Sequence, residues 1–174
     1  MLATPTHSRE QLSLDLSRFD QVRRTAKIIN SRVAAGEIAS IQAIALNAGY
    51  EEFETQTRTE DGLDMTFAVN YLGHWLLTLL LLQSMDREKG RVIWISSWSH
   101  NPHDKLNMEK TAYTDKRYRT TIQDDLGSIA KGTWSANKND TLGWAAGWRQ
   151  YGATKLCSVT MMYVFFGLLT FSSA

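Results

Sequence analysis

The chain has 174 residues, of which 43% are hydrophobic and 21% charged, and its formal net charge is +1. This length is enough for one domain with a buried core, and a near-neutral charge without a basic run excludes a typical nucleic-acid-binding surface. The single cysteine, Cys157, excludes an internal disulfide and is typical of a reducing compartment, so we expect a cytoplasmic protein. His100 and His103 have no third ligand close by in the sequence, so no metal site is predicted.

Helix and strand patterns alternate along the chain. Hydrophobic periodicity and glycine stops predict five main elements: a helix at 18–35 ending at Gly36, a strand at 41–46, a helix at 63–85, a strand at 92–95, and a helix from Tyr151 to about Leu169. The second strand is apolar on both faces, which is typical of a parallel strand covered by helices on both sides. This alternation predicts an α/β fold with a parallel sheet.

Two further segments complete the single domain that we expect over residues 1–174. Residues 11–16 alternate briefly between polar and apolar, which favours a short strand around Asp15. Residues 100–147 are polar and show no clear period, and they include Trp134 and Trp144. We expect a long insertion in the form of a partly ordered surface loop with short helical turns.

Tyr151 and Lys155 lie one helical turn apart on the same face of the last predicted helix. A free phenol titrates near pH ~10, and a cation held beside it favours the phenolate and lowers its pKa. Such a pair can exchange a proton with an alcohol or a carbonyl oxygen near neutral pH. Because Tyr and Lys occur four apart in many helices, the pair alone does not define a site.

Three more motifs accompany this pair in a fixed order. Asn47-Ala48-Gly49 ends the first strand, Asn70-x-x-Gly73 lies in the long helix, and Ser96-Ser97 ends the second strand. Taken alone, Ser97 would be an ordinary turn hydroxyl and Asn70 a tolerated polar group in a helix. Together with Tyr-x-x-x-Lys, the set resembles the short-chain dehydrogenase/reductase family from about residue 12 to residue 163. The sequence around the motifs is most similar to that of retinol-dehydrogenase-like members, including many from filamentous fungi.

The resemblance implies four catalytic roles. Tyr151 would be the general acid/base, and Lys155 would lower the pKa of that tyrosine and hold the nicotinamide ribose. Ser97 would orient the substrate oxygen, because a hydroxyl can both donate and accept. Asn70 would hold a water in a proton relay to the lysine.

The resemblance also implies a cofactor site. Asn47, Ala48 and Gly49 would form the turn below the cofactor, where small residues let the backbone come close and Gly49 can take a positive φ. Asp15 would meet the adenine, and Tyr151 and Lys155 would complete the contacts. The expected cofactor is NADP or NAD, with NADP mildly preferred, and the expected substrate is a small alcohol, ketone or aldehyde.

The fold implied by the family is a Rossmann-type, doubly wound parallel sheet flanked by helices, of which this chain would hold a part. The family opens with a Thr-Gly-x-x-x-Gly-x-Gly turn that binds the cofactor phosphates, and this sequence contains no such turn. We therefore interpret the chain as truncated at both ends. The strand at 41–46 would then expose an apolar edge, which favours aggregation or pairing.

Two functions remain open on the sequence. One is an oxidoreductase that transfers hydride between NAD(P) and an alcohol or carbonyl carbon, with a role in secondary metabolism. The other is a non-catalytic remnant that pairs with itself or a full-length relative through helices 63–85 and 151–169. A membrane attachment through residues 159–171 is disfavoured, because this segment is shorter than the ~20 residues of a spanning helix.

Overall fold

The computed structural model describes residues 9–122, 125–135 and 143–171, the last six of these as backbone only. In chain order the main elements are α1 (Phe19–Ala34), β1 (Ala43–Leu46), the long helix α2 (Met65–Ser84), β2 (Arg91–Trp94), α3 (Lys105–Glu109), α4 (Leu126–Ala130) and α5 (Trp144–Phe171). Short 3-10 turns at Trp98–His100 and Lys116–Tyr118 complete the chain's regular structure in these ranges. Helix, strand, helix and strand follow in the predicted order.

The first helix follows the predicted amphipathic pattern. Val22 and Ala26 of α1 are fully buried, whereas Ile28, on the opposite face, is exposed. The helix ends where Gly36 takes a φ of 72° and its N–H bonds the carbonyl of Val33. A positive φ is easily adopted by glycine, so the chain can leave the helix here without strain.

Strands β1 and β2 pair in parallel, with Ala43 opposite Arg91 and Leu46 opposite Trp94. Their alternate residues bury one face of the sheet against α1 and α2: Ile44, Leu46, Val92 and Trp94 pack with Ala26 and Leu81. The other face is exposed, and its residues are Ala43, Ala45, Arg91, Ile93 and, just after β2, Ile95. The prediction that helices cover the second strand on both sides is therefore wrong for the described part of the chain, where the covering helices lie on one face only.

Helix α2 is irregular at its centre. Asp64 caps its N-terminus by accepting from the N–H of Phe67 at 3.0 Å. Residues Ala68–Gly73 then form a π-helical turn before the α-helix resumes at His74–Leu81. A π-helical turn inserts an extra residue into the helix and is frequent at functional sites. The motif residues Asn70 and Gly73 both belong to this turn.

Helix α2 is also long and apolar enough, by length and composition, to cross a membrane, with a mean hydropathy of 1.5. It contributes Phe67, Thr78 and Leu81 to the protein interior. No other helix in the searched ranges meets these criteria. The sequence disfavours membrane attachment through residues 159–171, and this stays a prediction because the side chains beyond residue 165 lie outside the described part of the chain.

The chain between β2 and α5 packs against α5. Ala112, Tyr113 and Tyr118 form a buried cluster that Trp134, Trp144 and Trp148 extend. Arg149, buried on α5, donates to the carbonyls of Ala112 and Ser135, both at 2.9 Å. The described residues of 100–147 thus contain short helices and contribute buried side chains, and residues 123–124 and 136–142 lie outside the description.

Helix α5 begins earlier than the sequence predicted, at Trp144 instead of Tyr151, and ends at Phe171. Its inner face packs against α2 and α4 through a cluster of Phe67, Ile129 and Ala153. Cys157 lies half-buried beside this cluster, and burial raises the pKa of its thiol to about 11.

The predicted strand at residues 11–16 does not form. Asp15 instead begins a turn: its carboxylate Oδ1 accepts from the N–H and hydroxyl of Ser17 at 2.9 and 2.7 Å, and its carbonyl accepts from the N–H of Arg18. A strand needs a partner to satisfy its backbone groups, and no described segment lies beside this one in a sheet. Local side-chain bonding therefore decides the conformation.

Candidate active site

The parallel register brings two of the predicted motifs to one edge of the sheet. Because β1 and β2 run side by side and end opposite each other, Asn47-Ala48-Gly49 and Ser96-Ser97 both follow at the carboxyl edge. The Asn-Ala-Gly turn is exposed. Gly49 does not take the positive φ that the sequence suggested, since the described glycines with positive φ are Gly36, Gly62 and Gly132. An added Cβ at Gly49 would touch only the Oδ1 of Asn70, at 3.7 Å.

Helix α5 places Tyr151 and Lys155 at the end of β2. The side chain of Ser97 lies close enough to the phenol of Tyr151 to influence its pKa. The ammonium of Lys155 lies 5.5 Å from the centroid of the Tyr151 ring and donates to the carbonyl of Ile95 at 3.2 Å. The hydroxyl of Ser96 donates to the carbonyl of Lys155 at 3.3 Å, which ties β2 to the helix. Three of the four predicted catalytic residues therefore lie in one cluster.

Burial is the largest influence on the ionisation of this pair. Burial raises the pKa of Tyr151, the neighbouring Ser97 side chain opposes that rise, and the negative charge of Glu51 adds to it. Burial lowers the pKa of Lys155, and the charge of Glu51 opposes this. The predicted lowering of the Tyr151 pKa by Lys155 stays a prediction. Both changes favour the uncharged forms of the two groups.

Asn70, the fourth predicted residue, uses its amide to join three elements. Its Oδ1 accepts from the N–H of Tyr50 at 2.7 Å, and its Nδ2 donates to the carbonyl of Tyr50 at 2.8 Å and to the hydroxyl of Thr154 at 3.4 Å. The side chain is buried. It holds the loop after β1 against α5, one residue before Lys155. The predicted water relay through Asn70 stays a prediction.

Asp15 lies apart from this cluster. It is exposed and lines a surface cleft of about 660 Å³ between the start of α1 and residues 58–61, together with Arg18, Arg58 and Met65. Ser97, Tyr151 and Lys155 do not line that cleft. The structure therefore does not group the predicted adenine-binding residue with the predicted catalytic residues.

An aromatic cluster borders Tyr151. The ring of Trp148 lies 5.9 Å from that of Tyr151, 5.3 Å from Trp98 and 5.6 Å from Trp144, and Phe53 packs on the same group at 5.8 Å from Trp148. Sequence reasoning missed this cluster because it assigned Trp144 to a surface loop. The spacing of Trp144, Trp148 and Tyr151, at 0, 4 and 7, is a helical spacing and was the available signal.

Ser99 was also missed. It is fully buried, and both its N–H and its hydroxyl donate to the Oγ of Ser97, at 3.2 and 3.0 Å. A serine two residues beyond a motif serine carries little signal by itself. Its importance appears only when the turn at Trp98–His100 folds it back on Ser97.

No group of three or more His, Cys, Asp and Glu side chains in the described ranges could hold a metal ion. His100 points its Nδ1 to the carbonyl of Ser97 at 2.5 Å, and His103 is exposed. Of the two histidines that we considered as metal ligands, His100 is thus engaged in a local backbone contact.

Comparison with known proteins decides the family. The profile for short chain dehydrogenase matches residues 5–109, which is more than half of the chain. The chain belongs to the short-chain dehydrogenase family. This confirms the resemblance inferred from the four motifs, and it agrees with the parallel pairing of β1 and β2 as part of a Rossmann-type sheet.

Similar proteins come from fungi and from animals. The short-chain dehydrogenase iccH of Talaromyces variabilis is 45% identical over 170 residues, which covers 89% of this chain and 47% of the relative. The short chain dehydrogenase/reductase dpchH of Colletotrichum higginsianum is 30% identical over 85% of this chain and 33% of its own length. Human retinol dehydrogenase 13 is 35% identical over 65% of this chain and 34% of its own length. The chain spans less than half of each of these relatives.

Proposed function

We propose that this chain carries the proton-transfer half of an oxidoreductase site that interconverts an alcohol with a ketone or aldehyde. Tyr151 exchanges a proton with the substrate oxygen, and Ser97 orients that oxygen from the same side. Lys155 and Asn70 support the pair from the same helix and from α2. The bound nicotinamide would supply the hydride.

The observation that supports this proposal is the contact of Ser97 with Tyr151 at the carboxyl edge of a parallel sheet. Ser97 lies close enough to the phenol to influence its pKa, and Lys155 lies on the same helical face as Tyr151. A proton-exchanging group and a second hydroxyl that meet at one point can share a single substrate oxygen. Family membership agrees with an oxidoreductase of this type.

The residues present fit the nicotinamide end of NAD(P). The turn Asn47–Gly49 is exposed beside this edge, and the absence of a side chain at Gly49 leaves room for a ribose to approach. Lys155 donates one proton to the carbonyl of Ile95, and an ammonium has further donors that can turn to ribose hydroxyls. The choice between NAD and NADP, with NADP mildly preferred, rests on family resemblance.

Titration calorimetry of the folded chain with NADPH and NADH tests this proposal. We expect saturable binding, and Lys155→Ala should weaken it roughly tenfold through the loss of a charge-assisted hydrogen bond. The matched control is Lys105→Ala, because the Lys105 side chain is 88% exposed on α3. A folded chain that binds neither nucleotide would remove the catalytic proposal.

A second candidate function is an interaction module that pairs with itself or a full-length relative. The exposed apolar residues of the predicted pairing helices support it, namely Leu79 on α2 and Tyr163 and Val164 on α5. Co-purification of the chain with a tagged full-length relative tests this function. Separate elution of the two proteins at matched concentrations would count against it.

A cytoplasmic location and a role in fungal secondary metabolism complete the proposal. The location follows from the single cysteine, which is typical of a reducing compartment. The metabolic role follows from similarity to fungal members of the family, including iccH. Cell fractionation and deletion of the gene followed by metabolite profiling would test the two statements separately.

A further inference from the structure

A small polar cavity lies where the start of α2, the start of α5 and the chain after α4 meet. Its volume is about 20 Å³, and its lining includes the almost fully buried residues Asp64, Thr66, Ser135 and Gln150. A bound water needs roughly 10–15 Å³ of such space and two to four polar partners. The cavity therefore has room for one water and is too small for an organic ligand.

The amide of Gln150 has its orientation fixed by its neighbours. Its Nε2 donates to the carbonyl of Ile129 at 2.8 Å and to the Oδ1 of Asp64 at 3.1 Å. Because a carbonyl can only accept, the nitrogen must face Ile129, and these two contacts use both of its protons. The Oε1 on the other side of the amide is buried, and no donor in the described part of the chain reaches it. A buried acceptor of this kind requires a donor from elsewhere.

Two further polar groups at the cavity have bonding capacity left. The Oδ2 of Asp64 accepts from the Nε2 of Gln56 at 3.0 Å, and a carboxylate oxygen can accept a second hydrogen bond. The hydroxyl of Thr66 makes no hydrogen bond with any described residue, although this residue is only 3% exposed. Together with the Oε1 of Gln150, these groups supply two acceptors and one hydroxyl, which match the two donors and the lone pairs of a water.

The charge around the cavity favours a water over a cation. The buried guanidinium of Arg149 donates to the carbonyl of Ser135, a lining residue, at 2.9 Å. A second positive charge beside it would be repelled, most strongly in a buried site where the effective dielectric constant is low. A water brings two donors to the acceptors without adding a charge.

We propose that this cavity is a binding site for one water, which donates to the Oε1 of Gln150 and the Oδ2 of Asp64 and bonds the hydroxyl of Thr66. Asp64 caps α2, and Gln150 precedes Tyr151 on α5. The water thus joins the beginning of α2 to the part of α5 that carries the Tyr-Lys pair. The site is a property of the folded chain and does not rest on the proposed function.

Oxygen-17 magnetic relaxation dispersion counts the waters that stay bound far longer than surface waters, and a crystal structure locates them. We expect wild type to hold one more long-lived water than Gln150→Met, in which a side chain of similar length replaces the amide. In crystals of wild type, this water should lie roughly 2.7–3.2 Å from the Oε1 of Gln150. Circular dichroism verifies that both proteins are folded.

A second variant removes one partner of the water and keeps the shape of the site. Thr66→Val replaces the hydroxyl by a methyl group, and we expect the water to exchange about fivefold faster because it loses one hydrogen bond. The matched control is Thr78→Val. Thr78 is also buried on α2, but its hydroxyl donates to the carbonyl of His74 and it does not line the cavity. This control should leave both the number of long-lived waters and their exchange unchanged.

Three results would overturn the proposal. The first is an equal number of long-lived waters in wild type and folded Gln150→Met. The second, which decides the matter if Gln150→Met does not fold, is unchanged water exchange in Thr66→Val. The third is a bound species in wild type that disappears when Na⁺ is replaced by a large organic cation, which would assign the cavity to a cation. Nucleotide binding plays no part in these measurements, so its failure would reject the proposed function and leave this inference standing.

Discussion

At the scale of single residues, the buried imidazole of His74 makes the stability of the folded protein depend on pH. Its side chain is buried in α2, where its ring lies 6.0 Å from Trp94. Burial, with a smaller effect of the Lys155 charge, lowers the pKa of His74 to about 4 from an ordinary 6.5. The unfolded chain therefore takes up a proton at His74 at a pH where the folded protein does not.

We expect the free energy of unfolding to fall as the pH drops from about 6.5 to about 4, because protonation of His74 favours the unfolded state there. The full contribution, present above pH 6.5, is about 3 kcal/mol. Urea unfolding at pH 7.5 and pH 5 measures the slope, and His74→Phe should flatten it. His103→Asn, at an exposed position, is the control. An equal slope in wild type and His74→Phe would contradict this assignment.

Residue identities at the candidate site could be predicted, whereas their electrostatics could not. Ser97, Tyr151 and Lys155 are brought together because each motif follows a predictable strand or lies on a predictable helix. The direction of the Tyr151 pKa depends on burial and on where the Lys155 ammonium points. Both are tertiary properties that spacing along a helix does not encode.

At the scale of elements, helix α2 explains why one motif contains a glycine. Gly73 ends the π-helical turn, and the backbone carbonyl and Cβ of Leu16 lie directly against it. An added Cβ would overlap that backbone, so Leu16 or the helix would have to shift. Asn70, three residues earlier, holds Tyr50 from the neighbouring loop. In this motif, Gly73 thus allows close packing against Leu16, and Asn70 holds the neighbouring loop by hydrogen bonds.

We expect Gly73→Ala to destabilise the protein by about 1–3 kcal/mol, because overpacking against Leu16 outweighs the gain in helix propensity. The matched variant is Gly49→Ala, whose new Cβ would meet only the Oδ1 of Asn70 at an ordinary 3.7 Å. It should stay within about 0.5 kcal/mol of wild type. Chemical denaturation of both variants provides the measurement, and equal stabilities would show that the close contact at Gly73 relaxes freely.

The elements themselves were predicted where local pattern and tertiary packing agree. Helix α1 and strand β1 satisfy both conditions, since their apolar faces pack on each other. The short strand at residues 11–16 failed because a strand needs a neighbour, which alternation alone cannot guarantee. The early start of α5 at Trp144 was missed because aromatic residues in a polar stretch favoured a loop over a helical face.

At the scale of the whole molecule, one face of the β1–β2 sheet is exposed and mainly apolar. Ala43, Ala45, Ile93 and Ile95 present alternate side chains on the face away from α1 and α2, and Arg91 lies at the edge of this patch opposite Ala43. A contiguous apolar patch on paired strands differs from scattered exposed apolar residues, because one contact with a second chain can bury the whole patch. The match to the relative iccH covers 47% of that protein's length.

This patch should set the solubility of the purified chain. We expect Ile93→Lys to raise the concentration at which the protein aggregates, since one charge at the centre of the patch opposes association. Ile28→Lys is the control, because Ile28 is equally exposed, 48% against 49% for Ile93, but lies alone on helix α1. Static light scattering over a concentration series measures the threshold, and unfolding experiments check that both variants keep wild-type stability.

The two lysine variants add the same charge, so net charge alone predicts the same change in both. A higher threshold for Ile93→Lys alone would show that association takes place through the open sheet face. Equal improvement in both would assign the effect to net charge and remove the sheet face as the cause. If neither variant raises the aggregation threshold, association through the exposed helical residues Leu79, Tyr163 and Val164 becomes the explanation to test. Lysine substitutions at those positions would then test the pairing of α2 and α5 that the sequence predicts.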